Sequence, residues 1–204
     1  MLVIDNYIKD KKILEAFQDE NTWKNMPSLN WWDGWWKTEP RNIFEYFTKL
    51  VWKQNTDVEN KIAGFEYWSN IHQTGGSLAW HVDKDEKLII DKKELVMPRF
   101  GLIYYVLVND LEGGYLEIAN SRETKNINPE NVQRLRAIEN RLIMFNPSNP
   151  HRVTEITKGK RRALLVNAWG KKPFTFLKNE NVNRLLPSRE IVDITWENKF
   201  KKNF

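Results

Sequence analysis

Trp80-His81-Val82-Asp83 sets an imidazole and a carboxylate two residues apart. In an extended segment side chains alternate between faces, so His81 and Asp83 emerge together and can meet on one metal ion. A third ligand has to come from elsewhere. The chain has 3 histidines, the other two being His72 and His151. His72 lies before the chain break Gly75-Gly76 and is too distant to share a strand face with His81, so it reads as an ordinary surface or half-buried histidine. His151 follows the apolar run Leu142-Ile143-Met144-Phe145 and is followed by the basic cluster Lys158-Gly159-Lys160-Arg161-Arg162. Two histidines and one carboxylate with coordination positions left open are the donor set of non-haem Fe(II) sites. Structural zinc would call for four closed ligands, often thiolates, and the chain has no cysteine. Catalytic zinc suits the same donors, but the His-Glu-x-x-His helix pattern is absent.

Outward from this motif the chain divides into helices first and short strands later. Residues 2–8 suggest an edge strand, and Asp10 is placed to cap a helix carrying Ile13, Leu14 and Phe17 on one face. Asn30-Trp31-Trp32-Asp33-Gly34-Trp35-Trp36 puts four tryptophans around a turn-prone Asp-Gly, either as a packing cluster or as an aromatic wall at a pocket mouth. Pro40 suits the first turn of a second helix, on which Ile43, Phe44, Phe47, Leu50 and Val51 form the buried stripe. Asn55–Asn60 is a polar turn, and Ala63, Phe65 and Tyr67 alternate as in a strand. Asp83 to Pro98 reads as a charged loop or strand-like excursion around Leu88–Ile90. Phe100–Val108 is a strand buried on both faces, Asn109–Gly114 a turn, and Tyr115–Ile118 the returning strand. A short helix is expected near Val132–Ile138. Strands are expected at Arg141–Phe145, Arg152–Ile156 and Ala163–Trp169, with Lys158-Gly159-Lys160 turning between the last two. The tail holds Pro187 and Trp196, and a final helix there has no fixed place.

This order predicts one α+β, mainly β domain: helical support over residues 1–60, a sandwich or barrel core over 62–170, and an extension over 171–204. A chain of 204 residues with 41% hydrophobic and 29% charged residues can bury a proper core. The absence of cysteine excludes disulfides and iron–sulfur clusters. No apolar run reaches the roughly 20 residues that span a bilayer. The stretch Met1-Leu2-Val3-Ile4-Asp5-Asn6 has no secretion-signal character, so a cytoplasmic protein with no membrane contact is expected. The net charge of +5 is spread through a Lys- and Asn-rich sequence, clustering only at Lys158–Arg162 and Lys199–Lys202, which favours a solvated surface over a polyanion-binding one.

Arginine suits a carboxylate partner because its planar fork grips both oxygens. Along Arg161-Arg162-Ala163-Leu164-Leu165-Val166 one arginine must point inward and the other outward, and alternation alone does not choose between them. The segments Trp80–Asp83, Leu102–Val108 with Asn109-Asp110-Leu111-Glu112-Gly113-Gly114, Leu142–Phe145, His151–Ile156 and Gly159-Lys160-Arg161 resemble the 2-oxoglutarate/Fe(II)-dependent dioxygenases of the prolyl 4-hydroxylase type. The resemblance covers roughly residues 62–170. It implies a double-stranded β-helix, a cupin-like jelly roll with N-terminal bracing helices. It also implies Fe(II) on His81, Asp83 and His151. Arg161, ten residues after the distal histidine, becomes the partner of the 2-oxoglutarate carboxylate, with Arg162 as the fallback. Tyr105, or Tyr104 in the other register, would hydrogen-bond the same carboxylate, against a reading in which both tyrosines simply pack.

The implied reaction is hydroxylation of a C–H bond with O2, as 2-oxoglutarate is decarboxylated to succinate and ascorbate serves as an auxiliary reductant. Retention of Asp83 favours hydroxylation over halogenation. Peptidyl proline is the first substrate by resemblance, with a small molecule as the second. Nucleic acid is disfavoured, because the dealkylating branch carries a second arginine where this chain has Asn167. The rival class is a non-catalytic cupin-like module that binds a metal or ligand, and Arg161 would have little purpose there.

Overall fold

A computed structural model describes residues 1–24, 26, 28–53, 58–121 and 124–177 of the 204-residue chain. In chain order the elements are β1 (Leu2–Ile4), α1 (Lys11–Gln18), α2 (Glu20–Lys24), β2 (Asn30–Trp32), α3 (Ile43–Trp52), α4 (Val58–Lys61) and β3 (Gly64–Gln73). There follow β4 (Leu78–His81), α5 (Glu86–Lys92), β5 (Phe100–Gly113), β6 (Leu116–Ala119), β7 (Val132–Leu135), β8 (Arg141–Phe145), β9 (His151–Val153) and β10 (Ile156–Trp169). Short 3-10 turns cover Pro129–Asn131 and Phe174–Phe176. The strands form a large sheet in the order β1-β8-β5-β10-β3-β2 and a small sheet in the order β4-β9-β6-β7, with antiparallel pairing in both. This is the expected double-stranded β-helix with bracing helices.

The large sheet has two unlike faces. Tyr67, Leu102, Tyr104, Val106, Leu164 and Val166 point outward and share one core with Phe17, Trp23, Phe44 and Phe47 of the helices. Ile103, Tyr105, Ile143, Phe145 and Ala163 point inward and share a second core with Leu116 and Ile118 of the small sheet. The helical segment makes its outer contribution for local reasons. Asp10 accepts hydrogen bonds from the Lys12 and Ile13 amides and so starts α1, and Phe17 is fully buried. Asn42 caps α3 by accepting from the Glu45 amide, so the helix starts at Ile43 and Pro40 lies before its first turn rather than in it. Leu50 is exposed and Trp52 takes a buried place on that stripe, because the helix packs over its Phe44–Phe47–Val51 side. The same N-terminal segment also supplies two strands, β1 and β2, to the edges of the large sheet.

Several expectations are corrected. Residues 86–92 form helix α5 rather than a loop or strand, because Asp85 caps its first turn by accepting from the Leu88 amide and Lys93 closes it in the left-handed region. Val132–Leu135 is a strand rather than a helix, since pairing with β6 satisfies its backbone along the sheet edge. Asn109–Gly114 and Lys158–Lys160 are not turns. Residues 109–113 and 158–160 are irregular stretches inside the two 14-residue strands β5 and β10, which stay paired through register shifts, and only Gly114 of the expected turn lies in the link to β6. Gly159 has φ of 79°, and a Cβ there would stand 2.2 Å from the Asp110 carbonyl oxygen, so the close strand approach requires glycine. At Thr154-Glu155 the chain passes from β9 in the small sheet to β10 in the large one without reversing, still paired with Gly114-Tyr115. Of the polar turn expected at Asn55–Asn60, residues 55–57 lie outside the described residues, and α4 begins at Val58. The tail with Pro187 and Trp196 also lies outside them.

Candidate active site

His81 ends β4 and His151 begins β9, and the two residues face each other in the register of the small sheet. Their rings lie 4.2 Å apart between centroids. Asp83 follows β4 in an extended segment, held by its own amide donating to the Pro147 carbonyl at 3.1 Å. One carboxylate oxygen of Asp83, Oδ1, is 3.8 Å from His81 Nε2 and 3.7 Å from His151 Nε2. The donor atoms of the three residues all lie within 4.8 Å of one another, a span that one metal ion can bridge. His72 stands elsewhere, opposite Arg161 on β3, half-buried and with its pKa pushed down by burial and by the Arg161 charge.

Both imidazoles are aimed by the backbone. The carbonyl of Ala79 lies 2.8 Å from His81 Nδ1, and that of Asn149 lies 2.9 Å from His151 Nδ1. A carbonyl only accepts, so each Nδ1 carries a proton, which leaves Nε2 as the nitrogen turned to a metal. Burial pushes the pKa of His151 below the usual imidazole value, against the pull of the Asp83 charge, so the ring stays neutral.

The doublets that alternation left open are separated by the sheet. Arg161 points inward and is 3% exposed, with its guanidinium 5.2 Å from the Tyr105 ring. Arg162 points outward over the Trp23 ring at 5.3 Å. Tyr105 is fully buried on the inner face, while Tyr104 points outward and donates to Asn140 Oδ1 at 3.0 Å. Arg161 Nε and the Tyr105 hydroxyl are buried without a hydrogen-bond partner among the described residues. Two donors left without an acceptor side by side are suited to a carboxylate. Burial raises the Tyr105 pKa, which keeps its phenol protonated and able to donate.

Sequence reasoning missed a second polar group. Asn167, two residues inward of Trp169 on β10, donates from Nδ2 to Asp83 Oδ2 at 3.0 Å. Glu66 lies opposite Asn167 on β3 and accepts from Trp169 Nε1 at 2.8 Å. Burial pushes the Glu66 pKa up to about 7, reinforced by the Asp83 and Asp85 charges and opposed by hydrogen bonds from Trp169 and Asn167. The available signal was parity: Asn167 and Trp169 lie an even number of residues from Arg161 and therefore share its face. The tryptophan cluster is divided in the same way. Trp32, Trp35 and Trp36 pack around Phe65, whereas Trp31 pairs with Glu66 on the inner face and meets Phe176 at 5.5 Å.

The description "2OG-Fe(II) oxygenase superfamily" matches residues 67–169, just over half the chain and a span that holds His81, Asp83, Tyr105, His151, Arg161 and Asn167. The chain belongs to the 2OG-Fe(II) oxygenase superfamily. This oxygenase is an Fe(II)- and 2-oxoglutarate-dependent dioxygenase that consumes O2. No curated protein sequence matches the chain. Among solved structures its fold is similar to a Pseudomonas putida prolyl-4-hydroxylase (13% identity, 84% of this chain and 88% of that one, TM-score 0.54). It is similar to a Trichoplax adhaerens prolyl hydroxylase in complex with a hypoxia inducible factor oxygen degradation domain peptide (16% identity, 83% of each chain, TM-score 0.54). It is also similar to HygX from Streptomyces hygroscopicus with nickel, 2-oxoglutarate and hygromycin B bound (13% identity, 82% of each chain, TM-score 0.50). At these identities the likeness concerns the fold. Among the described residues, no helix is long and apolar enough to cross a membrane.

Proposed function

We propose that this oxygenase hydroxylates a C–H bond of a peptidyl prolyl residue, with Fe(II) held by His81, Asp83 and His151 and the remote carboxylate of 2-oxoglutarate held by Arg161 and Tyr105. The observation that carries the reading is the inward pair of buried donors, Arg161 and Tyr105, on the same sheet face as Asn167, which touches the Asp83 carboxylate. Two imidazoles and one carboxylate fit Fe(II), and a guanidinium beside a phenol fits an organic acid. Bound together, Fe(II) and 2-oxoglutarate supply the oxidising power: O2 is consumed, one oxygen atom enters succinate as CO2 leaves, and the other enters the substrate C–H bond.

The residues of the chain provide geometry and dielectric. The Ala79 and Asn149 carbonyls keep both Nε2 atoms turned toward Asp83 Oδ1. Arg161 offers a charge that burial strengthens, and Tyr105 offers an O–H donor. Two of the similar folds belong to prolyl hydroxylases, one of them with a peptide bound, and this supports a peptidyl substrate. The test combines succinate release with a mass screen for gain of one oxygen, across proline-rich peptides, free amino acids and oligonucleotides. A proline-rich peptide is expected to gain the oxygen, and His81→Ala and His151→Ala are expected to fall to background. Full turnover in either variant overturns the metal assignment, and oxidation of another substrate class alone overturns the prolyl reading.

A further inference from the structure

Asp83 has two carboxylate oxygens, and the structure gives them different partners. Oδ1 faces the Nε2 atoms of both histidines, at 3.8 and 3.7 Å. Oδ2 accepts a hydrogen bond from Asn167 Nδ2 at 3.0 Å. The Asn167 amide is 3% exposed and sits on the central strand β10, so it has little room to move. Its other neighbour is Glu66, to which it also donates. With an acceptor on each side, only one orientation of the amide satisfies both, and Nδ2 has to face the two acids. Glu66 is in turn fixed by the Trp169 indole N–H at 2.8 Å. The network thus runs from a fully packed tryptophan, 2% exposed, through Glu66 and Asn167 to one oxygen of Asp83.

A carboxylate free to rotate can bind a metal through both oxygens. At an octahedral ion it would then take a fourth position, leaving fewer for a chelating oxo acid and O2. A hydrogen bond that engages Oδ2 prevents this, because turning that oxygen onto the metal would leave a buried amide donor unpaired. We propose that Asn167, held by Glu66 and Trp169, is a positioning residue that restricts Asp83 to one-oxygen ligation and so keeps the remaining positions open. This rests on the reading of His81, Asp83 and His151 as the metal ligands. Asn167 acts through Asp83 and touches no reacting atom.

The experiment uses the full chain loaded with Mn(II) alone, whose effect on water proton relaxation counts its exchangeable waters. The wild type is expected to hold about three. Asn167→Leu, which keeps the bulk and removes the donor, and Asn167→Ala are each expected to lose about one as Oδ2 turns onto the metal. A parallel melt of the metal-free proteins separates this from general loosening, which would lower the melting temperature without changing the water count. If the Asn167 variants do not fold, Glu66→Gln and Trp169→Phe loosen the amide from its far side and are expected to show a partial loss in the same direction. An unchanged water count in every variant that folds overturns the proposal. His81→Ala distinguishes the two levels: if it binds Mn(II) as tightly as the wild type, the metal assignment itself fails, and if it loses Mn(II) while the Asn167 variants keep all their waters, only the positioning role fails.

Discussion

The two faces of the large sheet carry the same residue types and use them for opposite ends. Tyr104 and Tyr105 are neighbours, as are Arg161 and Arg162, and one member of each doublet goes to each side. On the outer face Tyr104 donates to Asn140 and the Arg162 guanidinium lies over the Trp23 ring, although Arg162 Nε, Trp52 Nε1 and Ser69 Oγ are buried without a hydrogen-bond partner among the described residues. On the inner face Arg161 Nε and the Tyr105 hydroxyl are buried with donors to spare. The buried carboxylates of the two faces differ more clearly. Glu45, against the outer face, is buried with Arg41 as its ion-pair partner and with the Tyr67 hydroxyl donating at 2.9 Å. Glu66, one residue before Tyr67 and on the other side, is acted on by the negative charges of Asp83 and Asp85. Unpartnered donors occur on both faces, and what marks the chemical one is that Arg161 and Tyr105 stand together on the face that also carries Asn167 and its bond to Asp83.

The contrast is most severely tested by the arginines. Arg161→Ala is expected to raise the KM for 2-oxoglutarate by about 10²- to 10³-fold, the usual cost of removing one partner of a buried charge pair. Arg162→Ala should leave that KM within about twofold and cost only about 0.5–1 kcal/mol of stability from the lost Trp23 contact. Similar KM values in the two variants would erase the distinction between the faces.

A smaller effect concerns Glu66 in metal-free protein. Its pKa is about 7 in the fold against an ordinary 4.5. A raised carboxyl pKa means that the folded state binds more protons than the unfolded one. The associated stability is fully present below about pH 4.5 and is lost as pH rises to about 7. Denaturant melts should show the wild type losing on the order of 2 kcal/mol over that window relative to Glu66→Gln. Parallel curves would show that Glu66 ionises as it does in the unfolded chain.

The tyrosines give the finest comparison. Tyr105→Phe is expected to weaken 2-oxoglutarate binding by about 5- to 10-fold with no loss of stability, since its hydroxyl has no partner to leave behind among the described residues. Tyr104→Phe is expected to do the reverse, costing about 0.5–1 kcal/mol of stability and leaving 2-oxoglutarate binding unchanged. Isothermal titration and thermal melts of the same two proteins decide it.

What could be read from the sequence were those features fixed by short-range pattern. The cap at Asp10, the alternation of Phe65 and Tyr67, and the apolar run from Phe100 all became the expected elements. The spacing of His81 and Asp83 put both at one site because it is short-range, although β4 ends at His81 and the Pro147 carbonyl holds Asp83 just beyond it. Features that depend on a partner strand were less legible. Gly159 looks like a turn locally, but β10 continues past it because β5 supplies its hydrogen bonds, and β5 itself runs on to Gly113. Helix α5 was concealed by charged residues that serve as its cap and exposed face. Parity could show that Arg161 and Arg162 diverge, but not which one faces inward, since that depends on where the helices pack. Asn167 first stood out only as the position without a second arginine, and its bond to Asp83 requires the two sheets to be brought together.

The three metal-binding side chains owe their aim to different sources. Each histidine is oriented by the carbonyl two residues behind it, at Ala79 and at Asn149, a device that any side chain at those positions would preserve. Asp83 takes its orientation from a side chain on another sheet. Substitutions around the pocket can therefore reshape what enters it while leaving the imidazoles as they are, and the ease of retuning this centre is concentrated at its single carboxylate.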